Sequence, residues 1–510
     1  MPHFSAFAAE TPDRPAYIMA NSGEVVTYAE LDRRSNQVAH LLRASGVNRG
    51  DHIAIMMKNC TEFLQVAQGA LRAGIIFTPI STHLKQDETA YIITNCKAKL
   101  FVASASLAEV ATSRPLRPLA GWGAACPLAA TLQVLSDWTS NWRSLPETPI
   151  EDEFLGAPML YSSGTTGKPK GVYWEPHAES IHTDHPLSGS VGAFFGFGVD
   201  TVYLSPAPLY HAAPLHYNIM VLGLGGTSLI MEHFDPEQSL ALIERYKATH
   251  SQWVPIMFVR MLKLPEDART QYDLSSMKCA IHAAAPCPID VKEAMIDWWG
   301  PVIVEYYSGS EGNGFTIIDS ANWLTHKGSV GQAIIGEPRI LGEDGEVLGP
   351  GEVGDVYFAN SRPFEYFDEP EKTKSAFNEH GWSTMGDVGY LDEEGFLYLT
   401  DRKNFTIITG GVNVYPAEIE GLLISHGKVA DVAVFGIPHP EFGEEVMAVV
   451  QPLDWGDAND DTEAELIDWM RERLSSVKVP RKVDFLEQLP RMDNGKLYKR
   501  HLQDAYRDAM

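Results

Sequence analysis

Apolar positions recur at helical and then at strand spacing along the first hundred residues of the chain. From Tyr28 to Ala44 they fall at helical spacing, and residues 51–56 then form a strand pattern. A helix pattern over 63–73 and a strand pattern over 75–80 repeat this order. Strands that are separated by helices predict parallel pairing with crossover connections.

The pattern changes twice further along the chain. Residues 328–399 carry short strand patterns between turns rich in Gly, Pro, Asp and Glu, which predicts a β-rich subdomain. Beyond a boundary near 400–404, the last hundred or so residues have a helix–strand alternation of their own. We therefore expect an α/β protein. Its large N-terminal domain spans 1–400, with parallel-rich sheets, helices and a β-rich part at about 328–400, and its small α+β domain spans 401–510.

The composition is that of an ordinary globular protein, but its charge is strongly acidic. Of 510 residues, 45% are apolar and 21% are charged, and 67 acidic residues against 40 Lys and Arg give a net charge of −27. Such a surface repels nucleic acid and anionic membranes, so neither is expected as a main partner. A polyanionic substrate must then be held by local groups.

The cysteines and the apolar segments indicate a reducing, cytoplasmic location. The five cysteines are odd in number and lack paired ligand spacing, which disfavours a disulfide framework and a zinc site. No basic region followed by an apolar run is visible at the N-terminus. The most apolar segment, 214–231, is interrupted by His216, Asn218 and three glycines, so we expect no stable membrane insertion.

The segment 161–172 is the richest in candidate chemistry. Its glycines let backbone N–H groups approach an anion, its hydroxyls donate to oxygens, and its lysines neutralise charge. Pro169 stands where most NTPase P-loops require glycine, so this is not that motif. A polyphosphate site is predicted, and a flexible linker is the alternative. The predicted binding residues are Ser162, Ser163, Gly164, Thr165, Thr166, Gly167 and Lys170.

From this segment and others in the same order, the chain resembles the adenylate-forming superfamily of acyl-CoA synthetases, firefly-type luciferases and peptide-synthetase adenylation domains. The resemblance runs from residues 27–31 to Lys496. It implies that the 162–171 loop closes over the β and γ phosphates of ATP. It also implies Mg²⁺, CoA as a co-substrate, and a small C-terminal domain that is mobile.

Residues 305–312 follow an apolar strand pattern, where open α/β sheets place their ligands. Tyr307 is expected to stack on a purine, Ser310 to contribute a hydroxyl, and Glu311 to hold Mg²⁺ on the phosphates. In the family this segment usually reads Tyr-Gly-x-Thr-Glu, so Ser308 and Ser310 depart from it. An ordinary strand–loop with a packed tyrosine is the alternative.

Three further positions match the nucleotide site of the family. Ala284 lies where relatives carry a Gly-Gly-Ala-Pro-like turn against adenine and the acyl chain, although close packing alone also explains its small size. Asp387 matches the aspartate that accepts hydrogen bonds from both ribose hydroxyls, and Arg402 matches the arginine that contacts ribose and phosphate. Met385 replaces the family threonine.

The small domain supplies the remaining expected site residues. Asn404 lies near the family hinge, and the turn at Gly410 and Gly411 is expected to line the thiol tunnel, although it also suits a loop before a helix. Lys496 matches the catalytic lysine that bridges carboxylate and α-phosphate. His211 matches the residue bordering the acyl pocket, and with Lys496 and Thr166 it completes the expected catalytic set.

The resemblance implies an AMP-forming ligase that activates a carboxylic acid and transfers the acyl group to CoA. The acid is expected to be apolar, because aromatic residues dominate the region before Glu311 and an acidic partner for an ammonium group is not evident. Transfer to an amine, loading of a carrier protein, and a nucleotide-binding regulator remain alternatives. A monomer and a homodimer both remain open.

Overall fold

The computed structural model describes residues 3–104, 107, 132–134, 142–162, 169–174, 180–182, 186–402, 405–491 and 497–508. The chain divides into two compact units. The first unit comprises Met1–Gln252, Tyr272–Cys279 and Phe364–Lys374, and the second comprises Trp253–Gln271, Ala280–Pro363 and Ser375–Met510.

Helices and strands alternate through the first half of the chain. In chain order they are α1 (Ser5–Glu10), β1 (Pro15–Met19), β2 (Val25–Thr27), α2 (Tyr28–Ala44), β3 (His52–Met56), α3 (Thr61–Arg72), β4 (Ile76–Pro79), α4 (Gln86–Asn95), β5 (Leu100–Ala103), β6 (Leu132–Val134), β7 (Ala157–Pro158), β8 (Leu160–Ser162), β9 (Lys170–Tyr173), α5 (Pro186–Phe195), β10 (Val202–Ser205), α6 (Ala212–Gly223), β11 (Thr227–Ile230), α7 (Pro236–Tyr246) and β12 (His250–Trp253).

The second half contains longer runs of strands. In chain order its elements are α8 (Pro255–Leu262), α9 (Glu266–Thr270), β13 (Cys279–His282), α10 (Ile289–Trp299), β14 (Ile303–Tyr307), β15 (Phe315–Asp319), α11 (Ser320–Thr325), β16 (Ser329–Ile335), β17 (Glu337–Leu341), β18 (Gly354–Ala359), β19 (Glu365–Tyr366), α12 (Pro370–Ser375), β20 (Ser383–Leu391), β21 (Leu397–Arg402), β22 (Ile407–Thr409), β23 (Val412–Val414), α13 (Pro416–Ile424), β24 (Val429–His439), β25 (Gly443–Pro452), α14 (Asp460–Arg471), β26 (Lys482–Phe485) and α15 (Lys499–Asp508).

The first unit contains parallel sheets with buried strands. One sheet has the order β6-β5-β3-β4-β7, and its strands pair in parallel. The strands β12-β10-β11-β1 also pair in parallel, and β2 pairs antiparallel to β1. Helix α3 is buried along its length, so these strands are covered by helices, as parallel strands require. The predicted parallel pairing is confirmed here.

The second unit combines parallel pairs, β13 with β14 and β25 with β26, with antiparallel strands. Strands β13 and β14 are parallel, and the order continues through β15, β16, β21, β20, β18 and β17 with antiparallel neighbours. Strands β16 to β21 lie within or at the edge of the range 328–400, where short strand patterns predicted a β-rich part, and the extent of a subdomain there stays a prediction. Near the C-terminus, β23, β22, β25, β24 and β26 form a five-stranded sheet, and its strands β24 and β25 pack against Leu489 and Leu502.

The α/β class is confirmed, because helices cover parallel strands and the β-rich part follows them. The expected division into 1–400 and 401–510 stays a prediction. Within the described ranges, no helix is both long and apolar enough to cross a membrane.

Candidate active site

The hairpin of β8 and β9 carries the predicted phosphate loop between its strands. Its register pairs Tyr161 with Gly171 and Ser162 with Lys170, so the two ends of the loop lie side by side. A Cβ on Gly171 would lie 2.9 Å from the Tyr161 ring, which explains the glycine. The predicted residues Ser163, Gly164, Thr165, Thr166 and Gly167 lie outside the described residues.

Two of the predicted site residues in the first unit, Lys170 and His211, lie next to aromatic rings. The Lys170 ammonium lies 4.6 Å from the centre of the Tyr366 ring, a cation–π contact. His211 occupies the N-cap position of α6, with its ring 4.6 Å from that of Tyr210. Their roles on phosphate and carboxylate stay predictions.

The structure brings together two residues that are 80 positions apart in sequence. The Tyr307 hydroxyl, at the end of β14, donates to Oδ2 of Asp387 on β20 at 2.6 Å. Asp387 is also the register partner of Arg402 on the neighbouring strand β21. The residues expected at ribose and phosphate therefore lie on the adjoining strands β20 and β21. The residue expected at the purine contacts Asp387 from β14, which β15 and β16 separate from β21 in the sheet order.

The loop that carries Glu311 is braced by Ser308, one of the departures from the family pattern. The Ser308 hydroxyl donates to the carbonyl of Gly314 at 2.7 Å, and the amide of Gly312 donates to the carbonyl of Gly309 at 3.0 Å. These bonds close the turn around Glu311, which is buried. The extra side chain at Ser308 therefore supports the loop.

Met385 packs directly against the same loop, which the sequence alone did not explain. A Cβ added at Gly309 would lie 1.9 Å from the Met385 sulfur and 2.9 Å from Oε2 of Glu311. Only a glycine fits between them. The sequence contained a cue, because a long side chain at 385 coincides with a glycine at 309, but pairing the two requires the fold.

Ala284 adopts a backbone conformation that favours glycine. It follows β13 with φ of +74° and is exposed. An L-residue in this region costs about 1–2 kcal/mol. The turn thus has a backbone shape that glycine adopts without strain, and Ala284 adds a methyl group to it.

A buried ion pair lies next to these loops. Lys292 on α10 donates to Oε2 of Glu305 on β14 at 2.6 Å, and Nε2 of His282 lies 3.7 Å from the same oxygen. Burial raises the pKa of Glu305, and the Lys292 charge opposes that rise. Burial, and then Lys292, hold the pKa of His282 well below its usual value, so this histidine is neutral.

In the C-terminal part, Gly410 and Gly411 form the two-residue turn between β22 and β23. Their φ values of +57° and +81° suit a hairpin turn in which both central residues are left-handed. The Gly410 amide donates to the carbonyl of Phe442 at 2.9 Å. Both glycines are thus required by the turn, and the thiol tunnel stays a prediction.

Asp401 was not predicted as a site residue, yet it contacts the helix beyond the expected hinge. Its Oδ2 accepts from the backbone amide of Ala417, in the first turn of α13, at 3.1 Å. The carboxylate caps an N–H group that has no partner within the helix. The predicted hinge residue Asn404 lies outside the described residues.

Lys496 also lies outside the described residues, but the chain on either side of it is firmly held. Arg491 and Leu497 form an antiparallel bridge. The Arg491 guanidinium binds the buried carboxylate of Asp431 through two nitrogens, with Nη2 at 2.6 Å from Oδ1. Such bidentate pairs fix geometry as well as charge.

A magnesium ion fits this site only as a partner of bound phosphates. Among the described residues, no group of three or more His, Cys, Asp and Glu side chains is placed to hold a metal. Glu311 supplies one carboxylate, and Mg²⁺ on nucleotides is commonly held by one or two carboxylates together with phosphate oxygens and water.

Two family profiles match most of the chain. The profile described as AMP-binding enzyme matches residues 4–365, and the profile described as AMP-binding enzyme C-terminal domain matches residues 418–496.

Named relatives match nearly end to end. The chain is 32% identical to the long-chain-fatty-acid–CoA ligase FadD13 of Mycobacterium tuberculosis, over 98% of this chain and 97% of the relative. It is 31% identical to a feruloyl-CoA synthase of Amycolatopsis sp, over 95% and 94%. The crystal structure of ATP-bound MatB from Rhodopseudomonas palustris superimposes with a TM-score of 0.80 at 30% identity, covering both chains fully. The chain therefore belongs to the AMP-binding enzyme family, the adenylate-forming superfamily that its sequence resembles.

Proposed function

We propose that the protein activates an apolar carboxylic acid with ATP and transfers the acyl group to CoA, forming AMP. The contact between Tyr307 and Asp387 supports this most directly, because it brings the residues expected at purine and ribose to neighbouring positions. The similarity to FadD13, a long-chain-fatty-acid–CoA ligase, and to feruloyl-CoA synthase supports the choice of acid and acceptor.

In the first half-reaction, an oxygen of the acid attacks the α-phosphate of ATP. The bond to the bridging oxygen breaks, pyrophosphate leaves, and an acyl-adenylate remains. Lys496, Lys170 and the hydroxyls of Thr165 and Thr166 offset the charge that develops on phosphate oxygens. Magnesium bound through Glu311 would supply further neutralisation of the pyrophosphate.

In the second half-reaction, the CoA thiolate attacks the acyl carbon, and AMP leaves. The small domain turns about a hinge near Asn404, withdraws Lys496 and brings the turn at Gly410 and Gly411 to the thiol path. His211 borders the acid. Since the described cysteines are free, as is usual in a reducing compartment, we assign the enzyme to the cytoplasm.

The apolar character of the acid rests on the aromatic residues in the region between the phosphate loop and Glu311. In the first unit, Phe195, Phe197 and Tyr217 form mutual edge and tilted contacts, with ring centres 5.7–6.0 Å apart. Phe194 is 48% exposed, an unusual state for a phenylalanine. The other aromatic or apolar candidates are Tyr210, Trp253, Met257 and Phe258.

The test is AMP release from ATP with a panel of apolar acids, each with CoA, with an amine, or with neither. We expect AMP only with CoA, and a loss of at least about a hundredfold in Lys496→Ala. The exposed Lys374→Ala serves as the matched control and is expected to keep full activity.

Other acceptors give distinct results in the same assay. AMP and an amide formed with an amine, without CoA dependence, would make the protein an amide synthetase. Acylation of a carrier protein in place of CoA would make it a carrier-protein ligase. Pyrophosphate exchange that fails with every acid would point to a nucleotide-binding regulator.

A further inference from the structure

The buried pair of Lys292 and Glu305 is not used by the reaction described above. The Lys292 side chain is fully buried and that of Glu305 is 7% exposed, with 2.6 Å between nitrogen and oxygen. Two charges withdrawn from water cost several kcal/mol each, on the order of what their attraction returns. Stability alone is therefore a weak explanation for this pair.

Aromatic rings and a buried histidine surround the ion pair of Lys292 and Glu305. The Lys292 ammonium lies 4.7 Å from the centre of the Trp323 ring. His282 packs on Phe258 with ring centres 5.4 Å apart, and both ring nitrogens of His282 are buried without a hydrogen-bond partner among the described atoms. The Trp323 ring therefore lies beside the ammonium, and the Phe258 ring lies beside His282.

The pair also lies at the base of both loops that are expected to hold the nucleotide. His282 and Glu305 are register partners on β13 and β14. Two residues beyond His282 is Ala284, and two residues beyond Glu305 is Tyr307. Lys292 lies on α10, which begins directly after the turn that contains Ala284.

We propose that Lys292 and Glu305 are positioning residues, whose ion pair fixes the turn 283–288 against the loop 307–314 and so shapes the nucleotide site. This inference rests on the proposed function. The ion pair joins α10, which follows the turn 283–288, to β14, which leads into the loop 307–314. A change in the distance between Lys292 and Glu305 therefore moves the turn and the loop relative to each other. Displacements near 1 Å in such sites cost about a hundredfold in rate.

The main test is the charge-free double variant Lys292→Met/Glu305→Gln, which leaves no unpaired charge in the interior. Calorimetry measures its ATP affinity, and thermal unfolding measures its stability. We expect an ATP dissociation constant raised about tenfold, a difference of about 1.4 kcal/mol. The KM for ATP should rise in parallel, while the KM for the acid should stay within about twofold, a split that loss of stability alone does not produce.

The matched control removes the buried Arg72 of the first unit together with both carboxylates that pair with it, through Arg72→Met/Asp32→Asn/Glu153→Gln. That variant is expected to unfold at a lower temperature with unchanged ATP affinity. If the main double variant does not fold, Lys292→Arg keeps the charge but forces a larger group into the same space. Its ATP affinity is then expected to fall.

The outcomes separate the two proposals. A folded variant at the Lys292–Glu305 pair that binds ATP as tightly as the unaltered protein would overturn the positioning role. An unaltered protein that does not bind ATP at all would overturn the proposed function itself. A similar loss of ATP affinity in the Arg72→Met/Asp32→Asn/Glu153→Gln control would show a general effect of stability and would also overturn the positioning role.

Discussion

The packing of Met385 against Gly309 shows how one departure from a family pattern can depend on another residue. The family pattern that the sequence resembles has a shorter threonine where this chain has Met385, and the Met385 thioether occupies the space above Gly309. The same space borders the carboxylate of Glu311. The two positions should therefore be coupled energetically, as residues in contact usually are.

We expect Gly309→Ala to lower both stability and ATP use. Its Cβ would meet the Met385 sulfur at 1.9 Å, so Met385 and Glu311 must move, at a cost of about 1–3 kcal/mol. Adding Met385→Thr should remove the clash and restore most of the loss. Denaturant unfolding and ATP–pyrophosphate exchange of the two single variants and the double variant measure this coupling. Additive losses would contradict it.

Tyr307→Phe isolates the hydrogen bond to Asp387 while it keeps the ring for stacking. We expect the KM for ATP to rise up to about tenfold, in line with a bond to a charged group worth about 1.5 kcal/mol. Steady-state adenylation kinetics measure this. Tyr306→Phe, which removes a hydroxyl from the neighbouring residue of β14, is the control, and an equal effect there would refute the specific role of Tyr307.

At the scale of elements, the spacing of apolar residues predicted those helices and strands that the local sequence determines. The helix over Tyr28–Ala44 has the predicted bounds, and Thr27 caps it by accepting from the amide of Glu30. The strands β3 and β4 and the helix between them also lie where the pattern indicated. These elements follow from local spacing of apolar residues, which the sequence displays directly.

Contacts between elements that are distant in sequence could not be predicted from the spacing of apolar residues. The resemblance predicted Tyr307 and Asp387 separately, but their bond joins β14 to β20, which are not neighbours in the sheet, so it depends on the path of the intervening strands β15, β16 and β21. The cap by Asp401 and the fit of Met385 on Gly309 are of the same kind, because each depends on the path of the backbone over many residues.

Asp401→Ala is expected to loosen the start of α13. Loss of a side-chain cap costs about 1 kcal/mol, and the exposed amide of Ala417 should exchange its hydrogen faster. Hydrogen exchange with mass spectrometry of the 416–424 segment measures this. Asp401→Asn keeps an acceptor oxygen and should exchange nearly as slowly as the unaltered chain, and equal exchange in both variants would argue against the cap.

For the whole molecule, the partly buried His52 and the buried His250 link stability to pH. Burial lowers the pKa of both His52 and His250 to about 4. The unfolded chain takes up protons on these rings below about pH 6.5, whereas the folded chain does not. Stability is therefore present above this pH and is lost as the pH falls from about 6.5 towards 4.

We expect the unfolding temperature to fall by several degrees between pH 7 and pH 5, a range in which ordinary carboxylates stay ionised. Calorimetry at matched ionic strength measures the profile. His250→Gln should flatten it, because one of these sites is removed, whereas His380→Gln, at a largely exposed histidine, should leave its slope unchanged. A profile that is flat in the unaltered protein would refute the assignment.

The cap on α13 would also affect the relative populations of the conformations that serve the two half-reactions. The hinge proposed near Asn404 lies, along the chain, between Asp401 and the amide that it caps. A turn of the small domain that carries α13 away from Asp401 must break this bond. A bond worth about 1 kcal/mol corresponds to a ratio of about five in the populations of two states. Asp401 would thus set the resting equilibrium between adenylation and transfer without touching either substrate.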